Sequence, residues 1–98
     1  MTLTSINEVK EAIKDPLADK IIKCESSYTP NVYGDNGLAW SVGQFHEESF
    51  YRMRQAGIKA GEPFIYLDYR NAQDQITLLT WAVHHGFASE WSCYHLVK

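Results

Sequence analysis

Two carboxylates separated by a turn-rich loop are the residues of this 98-residue chain best suited to chemistry. Glu25 ends a segment whose apolar residues recur at helical spacing, and Asp35 lies in a Gly-Asp-Asn-Gly turn at residues 34–37. Glycoside hydrolysis needs two carboxyl groups in unlike environments, because one must stay protonated as the acid while the other is ionised. The pair therefore indicates acid–base chemistry on a sugar.

Each carboxylate also has a purely structural interpretation. Surface glutamates on helices are common, but Glu25 lies between Cys24 and an aromatic-rich loop, at a helix C-terminus whose dipole disfavours negative charge. Burial and that dipole both raise a carboxyl pKa, which suits a general acid. Asp35 occupies the position of a turn aspartate that bonds its own backbone, so a role in the turn and a role in catalysis both stay open for it.

Polar and aromatic residues surround the two carboxylates in the sequence. Gln44 could hydrogen-bond a sugar or the acid, or it could anchor the loop through backbone groups. The Ser26 hydroxyl is expected to bond the carbonyls of its own helix. Three aromatic residues are candidates for stacking on sugar faces: Tyr28, Tyr33 and Trp40. Trp81 and Trp91, on helical faces, are expected in the core.

The elements before the loop are predicted to be two helices. The first opens on a capping-box pattern from Ser5 to Glu8, with Ile6, Val9 and Ile13 as its apolar face. The second starts at Asp15-Pro16 and runs to about residue 26. In the loop itself, residues 32–33 and 40–42 could form a minimal β-hairpin around the turn at 35–37.

The elements after the loop are predicted to be three more helices. The first covers residues 45–56, with Gly57 as its stop. The longest, at about 69–85, has Asp68 as N-cap and an apolar face that makes it the core helix. A last short helix is expected at 88–94. Residues 58–69 are irregular, and the apolar run at 64–67 fits an edge strand or a packed loop equally well.

These motifs resemble the lysozyme-like superfamily, which includes goose-type lysozymes and lytic transglycosylases. The Glu25-Ser26 pair at a helix end is similar to the family's catalytic Glu-Ser. Residues 34–37, followed by Gln44-Phe45-His46, resemble the goose-type Gly-Asp-x-Gly loop running into a Gln-hydrophobic step. Gln75-Ile76 and the ending at residues 91–93 are also similar to those of small secreted members.

The resemblance implies a mainly α-helical, lysozyme-like single domain over residues 1–98, with an N-terminal helix in 1–15 and the family core in 16–94. It implies cleavage of the β-1,4 bond of peptidoglycan or a related amino-sugar polysaccharide such as chitin. Glu25 would protonate the leaving oxygen, and Asp35 would position or activate water. Tyr66 could reach the cleft, as tyrosines do in some transglycosylases.

Two other activities stay open under this resemblance. A lytic transglycosylase would use the muramoyl 6-hydroxyl in place of water and form 1,6-anhydromuramoyl products. A catalytically inactive lysozyme-fold module would bind glycan or a protein partner. The chain also departs from the family at two places: Ser27-Tyr28 follow the Glu-Ser pair where transglycosylases usually carry a small residue, and His46 stands where goose-type enzymes carry a second loop aspartate.

Cys24 and Cys93 allow two arrangements, buried free thiols or a disulfide that joins the last helix to the Glu25 helix. The small size and the cell-wall interpretation favour the disulfide. A zinc site is a minor alternative, because the cysteines are isolated and the adjacent His84 and His85 diverge by about 100° on a helix. We expect no metal and no cofactor.

Composition limits the partners of the chain. A net charge of −3 with no basic stripe argues against nucleic acid. No apolar run approaches the roughly 20 residues that span a bilayer, and residues 1–23 show no signal peptide. We expect a monomer that is secreted or in the cell envelope, or associated with a phage, with its export signal removed or replaced by another route.

Overall fold

A computed structural model describes residues 2–98, and its architecture is mainly helical, with 60% of the chain in helix and one small antiparallel sheet. The helices are α1 (Ile6–Ala12), α2 (Pro16–Ser26), α3 (Glu47–Lys59), α4 (Ala72–Val83) and α5 (Ser92–Val97). The strands are β1 (Tyr33–Gly34), β2 (Ala39–Trp40) and β3 (Phe45–His46). Short 3-10 helices cover Asp35–Gly37, Phe64–Tyr66 and Ala88–Glu90. The predicted mainly α class is confirmed.

Both N-terminal helices begin where their capping residues predicted. The Ser5 hydroxyl accepts a hydrogen bond from the Glu8 backbone N–H at 3.1 Å, and the Asp15 carboxylate accepts one from the Ala18 N–H at 2.9 Å. The prediction for the inner face of α1 was wrong at Ile6, which is exposed. Leu3, before the helix, packs into the core.

The loop after α2 forms the predicted hairpin and adds a third strand. Tyr33 pairs with Trp40 in β1 and β2, and Trp40 pairs in turn with Phe45 in β3. Phe45 and His46 were wrongly predicted as the start of a helix. Strand alternation sends the Phe45 ring into the core and leaves His46 on the outer face, so the helix begins only at Glu47.

Gly57 does not end α3, contrary to prediction. The helix continues to Lys59, and its C-terminal motif uses Gly61 at φ +95°, with the Glu62 N–H bonding the Gly57 carbonyl oxygen at 2.9 Å. Gly57 is instead a packing position. A Cβ at residue 57 would lie 2.3 Å from Cδ2 of Phe64, so only glycine allows that ring to lie against the helix.

The core helix α4 is shorter than predicted. Asn71, and not Asp68, is its N-cap, because the Asn71 side chain accepts from the Asp74 N–H, whereas Asp68 accepts from the Arg70 N–H in the preceding turn. The longest helix is therefore α3. The burial prediction is confirmed, since α4 contributes seven buried residues to the core: Ala72, Gln75, Ile76, Leu78, Leu79, Ala82 and Val83.

The remaining segments close the domain around α4. The apolar run at 64–67 forms a 3-10 turn that buries Phe64 and exposes Ile65 and Tyr66. The predicted last helix at 88–94 is divided into a 3-10 turn and α5, and Trp91, between the two, is buried as expected. Among residues 2–98, no helix combines the length and the apolar character that crossing a membrane requires.

Candidate active site

A cleft of about 400 Å³ opens where the end of α2, the hairpin, the first turns of α3 and the segment before α5 meet. Glu25, Asp35 and Gln44, three of the residues predicted from the sequence, all line it. The other lining residues are Ala39, Phe45, His46, Ser49, Met53, Glu90, Trp91 and Ser92. The structure therefore brings the two predicted carboxylates to one cavity although they lie in different elements.

Glu25 is the half-buried carboxyl of the cleft. It is the second-last residue of α2, so its side chain leaves the helix where the carbonyl ends are exposed. Burial raises the pKa of the Glu25 carboxyl above its ordinary value, and the backbone N–H of Cys93 offsets part of that rise. A carboxyl that holds its proton to higher pH is suited to donate that proton to a leaving group.

Two contacts fix the end of α2 that carries Glu25. Cys24 forms a disulfide with Cys93 of α5, with the two Cα atoms 5.9 Å apart, so the predicted bridge is confirmed. The Ser26 hydroxyl lies 2.8 Å from the Val42 carbonyl oxygen and 3.2 Å from that of Ile22, which combines the expected helix contact with one to the loop. Glu25 is thus held between residues tied to two different walls of the cleft.

A buried polar network supports the floor of the cleft. The Gln75 side chain accepts from the Gly43 N–H at 3.1 Å and donates to the Tyr69 carbonyl oxygen at 2.9 Å, and Gln75 is fully buried. The Trp91 indole donates to the Gly43 carbonyl oxygen at 2.8 Å, and the Tyr69 hydroxyl donates to that of Phe45 at 2.8 Å. These side chains thus pair the N–H and carbonyl groups of Gly43 and the carbonyl group of Phe45.

Asp35 pairs with His46 across the sheet. The Asp35 carboxylate and the His46 Nε2 are 2.8 Å apart, and both side chains are largely exposed. Within residues 2–98 this carboxylate makes no hydrogen bond to the backbone of its own turn, although Asp35 and Asn36 both have positive φ. The turn role that the sequence left open for Asp35 is therefore not the one its side chain has in the structure.

Gln44 is an anchor of the loop at the edge of the cleft. Its amide nitrogen donates to the carbonyl oxygens of Val32 at 3.1 Å and Ser41 at 2.8 Å. Its side-chain oxygen lies against Gly34, where a Cβ would be 2.1 Å away, so the glycine makes room for the amide. Of the two roles considered for Gln44, the backbone-anchoring role is the one its contacts show.

The four aromatic candidates lie outside the cleft lining. Tyr28 is buried in the core, with the Lys10 ammonium 5.4 Å from its ring centroid. Tyr33 and Trp40 pack on each other on the hairpin, with ring centroids 4.5 Å apart. Tyr66 is 88% exposed on the 3-10 turn after α3. The aromatic rings that do line the cleft are those of Phe45 and Trp91, and Trp91 was expected only in the core.

Sequence reasoning missed the third carboxylate of the cleft. Glu90 is paired with Arg52 of α3, whose Nη1 donates to Oε2 at 3.2 Å. No sequence motif marks this pair, because 38 residues separate its members. Since Arg52 compensates its charge, Glu90 differs from Glu25, whose carboxyl has no cationic partner among residues 2–98.

The histidines and cysteines considered for zinc have other contacts. His84 pairs with Asp15 at 2.8 Å, His85 stacks on Trp81 with centroids 4.4 Å apart, and the cysteines form the disulfide. No group of three or more metal-ligating side chains occurs in the described part of the chain. Comparison with protein-family models, with curated proteins and with solved structures found no match to this chain.

Proposed function

We propose that this protein is a glycoside hydrolase, a muramidase that cleaves the β-1,4 bond of peptidoglycan with Glu25 as general acid. The observation that carries the proposal is the half-buried Glu25, whose pKa is raised, on the wall of a cleft that Asp35 also lines. Two carboxyl groups with different exposure in one cavity fit the division of labour in glycoside hydrolysis. The cleft is open to solvent, as a polymeric substrate requires.

In this mechanism Glu25 donates its proton to the glycosidic oxygen as the bond to the anomeric carbon breaks. Asp35, the exposed carboxylate, orients a water for attack on the opposite face of the sugar and takes its proton. His46 keeps the Asp35 carboxylate directed toward the cleft side of the sheet by the contact at 2.8 Å. Trp91 and Met53 provide apolar surface beside the reacting sugar.

The backbone conformation after Glu25 supports the resemblance to lysozyme-like enzymes, although the residue types at these positions differ from theirs. Ser27 has φ +51°, and Tyr28 has φ +65°. This left-handed conformation is the one that glycine adopts without cost, and transglycosylases usually carry a small residue there. The departure therefore changes the side chain and is compatible with the same turn at the end of the catalytic helix.

A lytic transglycosylase is the second candidate, and the Asp35–His46 pair is the observation that favours it. An aspartate whose carboxylate is already engaged by a histidine is less available as the base for water. A transglycosylase needs no such base for water, because the muramoyl 6-hydroxyl attacks. In that case Glu25 would act as both acid and base, and Asp35 would serve to hold the hairpin to β3.

Mass spectrometry of digested peptidoglycan distinguishes the two reactions. Hydrolysis produces reducing-end muramic acid, whereas the transglycosylase product is lighter by one water. We expect hydrolytic products, and we expect Asp35→Asn to lower turnover about 10²- to 10⁴-fold, the usual contribution of a general base. The double variant Asp35→Asn/Asn36→Asp serves as the matched control, because it moves the carboxylate to the neighbouring turn residue. Anhydro products, with Asp35→Asn still active, would assign the chain to the transglycosylases.

The disulfide indicates in which kind of compartment this activity takes place. Disulfides persist in oxidising compartments and are rare in the cytosol. The Cys24–Cys93 bridge lies directly beside the proposed acid. We propose that the protein works outside the cytoplasm, secreted or in the cell envelope, where peptidoglycan is found.

A further inference from the structure

A second groove, of about 290 Å³, adjoins the cleft and shares His46 with it. We call it the Arg70 groove. Its lining combines the hairpin, the start of α3 and the turn before α4, and consists of Tyr33, Gly37, Leu38, His46, Glu47, Glu48, Tyr69 and Arg70. Because His46 borders both cavities, a substrate group that extends from a sugar in the cleft can enter this groove.

The Arg70 guanidinium is held in place by aromatic rings. It lies 5.3 Å from the ring centroid of Trp40 and 5.5 Å from that of Tyr69, and its Nη1 donates to the Tyr33 hydroxyl at 3.2 Å. Cation–π contacts of this kind fix the plane of a guanidinium without using its in-plane donors. The aromatic pair Tyr33 and Trp40, proposed from the sequence to stack on sugar, thus supports a cation.

Arg70 differs from the other two arginines of the chain in what its donors bind. Arg52 is paired with Glu90, and Arg54 donates to the carbonyl oxygens of Ile65 and Leu67. The ion pairs found within residues 2–98 do not include Arg70. An arginine has five N–H donors, and one of those of Arg70 is used, so the group retains the fork that binds a carboxylate bidentately.

Glu47 and Glu48 give the same groove negative charge. A neutral polysaccharide such as chitin has no charged groups that could pair with these side chains. A peptide that carries carboxylates and an amine has charges complementary to those of the groove. In peptidoglycan such a peptide, the stem, is attached to every second sugar of the glycan that would occupy the cleft.

We propose that the Arg70 groove binds a carboxylate of the peptidoglycan stem peptide, and that peptide-bearing glycan is therefore the substrate. Arg70 forms the bidentate pair with the carboxylate, and the two glutamates face the amine of the same peptide. This inference rests on the proposed function, because it takes the glycan of the stem to lie in the Glu25 cleft.

The test measures binding, so that it does not depend on turnover. In a Glu25→Gln background, calorimetry compares a disaccharide-peptide fragment of peptidoglycan with the same disaccharide without its peptide. We expect the peptide-bearing fragment to bind more tightly. Arg70→Gln should weaken its binding roughly 10- to 100-fold, as expected for loss of a charge-assisted hydrogen bond, and leave the bare disaccharide unaffected. Arg70→Lys should fall between the two, because a lysine keeps the charge and loses the fork.

Lys59→Gln is the matched control for loss of one positive charge. Lys59 is exposed in the last turn of α3, twelve residues and roughly 18 Å along the helix from Glu47. It should leave both affinities unchanged. Equal affinity for the two fragments, equal weakening of both by Arg70→Gln, or no binding of either fragment overturns the inference. Peptide-dependent binding through Arg70 in a wild-type protein that cleaves nothing would instead refute the proposed function and leave the groove assignment standing.

Discussion

Removal of the Cys24–Cys93 disulfide should cost this small domain a large part of its stability. The bridge joins residues 69 positions apart, and the chain-entropy relation for a loop of that length gives about 4 kcal/mol at 25 °C. The whole stability of a natural domain is roughly 5–15 kcal/mol. For a domain of this size, each kcal/mol shifts Tm by roughly 4–8 °C, so the predicted fall is roughly 15–30 °C.

Thermal unfolding followed by circular dichroism provides the assay. The oxidised protein, the protein in a phosphine reductant and the Cys24→Ser/Cys93→Ser double variant are compared at one pH. The double variant should melt with the reduced protein and should not respond to the reductant, which separates loss of the bridge from other effects of the reagent. A fall of less than about 4 °C would refute the reasoning, because it would mean that the bridge restricts the unfolded chain far less than the chain-entropy relation requires.

The disulfide also bears on the site. Cys24 precedes the proposed acid, and the Cys93 backbone N–H lowers the pKa of the Glu25 carboxyl. At a temperature where the reduced protein is still folded, its rate of glycan cleavage should therefore fall by more than its folded fraction does. Full activity in the folded, reduced protein would show that the position of α5 is not needed for the acid.

Three further changes test the packing and the acid. Gln75→Leu leaves the Gly43 N–H and the Tyr69 carbonyl without their buried partner, and urea unfolding should show a loss of roughly 2–5 kcal/mol; a loss below about 1 kcal/mol would contradict the network. Gly57→Ala places a methyl 2.3 Å from Phe64 Cδ2 and should cost about 1–3 kcal/mol by the same measurement, whereas a neutral result would show that the ring moves freely. Because the pKa of Glu25 is raised by burial, its ionisation opposes folding as pH rises through that pKa. Glu25→Gln should therefore have a higher Tm than the wild type at neutral pH and the same Tm in acid. A lower Tm of the variant at neutral pH would contradict a buried acid.

Helix caps and the hairpin were predictable because their signals are local. Ser5 and Asp15 each contact a backbone N–H three residues ahead, and the glycine-rich turn at 34–37 favours a hairpin whatever the rest of the chain does. The errors occurred where tertiary contacts determine the secondary structure of a residue. Gly57 looked like a helix stop, but the ring of Phe64 requires a glycine inside α3. Phe45 looked helical, but pairing with Trp40 makes it a strand.

The same distinction between local signals and tertiary contacts applies to the residues of the candidate site. The meeting of Glu25 and Asp35 at one cleft was predictable because they lie ten residues apart, on two sides of one loop with recognisable turns. The roles of Gln75, Glu90 and Arg70 were missed, since each contacts a residue more than thirty positions away, namely Gly43, Arg52 and Tyr33. The structure places the aromatic residues predicted to stack on sugar outside the cleft lining, because a sequence does not show which rings pack in the core and which lie against a cation.

The most direct test of the central claim, that Glu25 is the acid of a glycan-cleaving enzyme, is the initial rate at which purified cell walls lose turbidity. Wild type and Glu25→Gln are compared at equal concentration, with Glu90→Gln as the control carboxylate of the same cleft. The proposed function predicts clearing by the wild type and by Glu90→Gln, and a rate about 10²- to 10⁴-fold lower for Glu25→Gln with an unchanged circular dichroism spectrum. Clearing by Glu25→Gln at a rate near that of the wild type would contradict it.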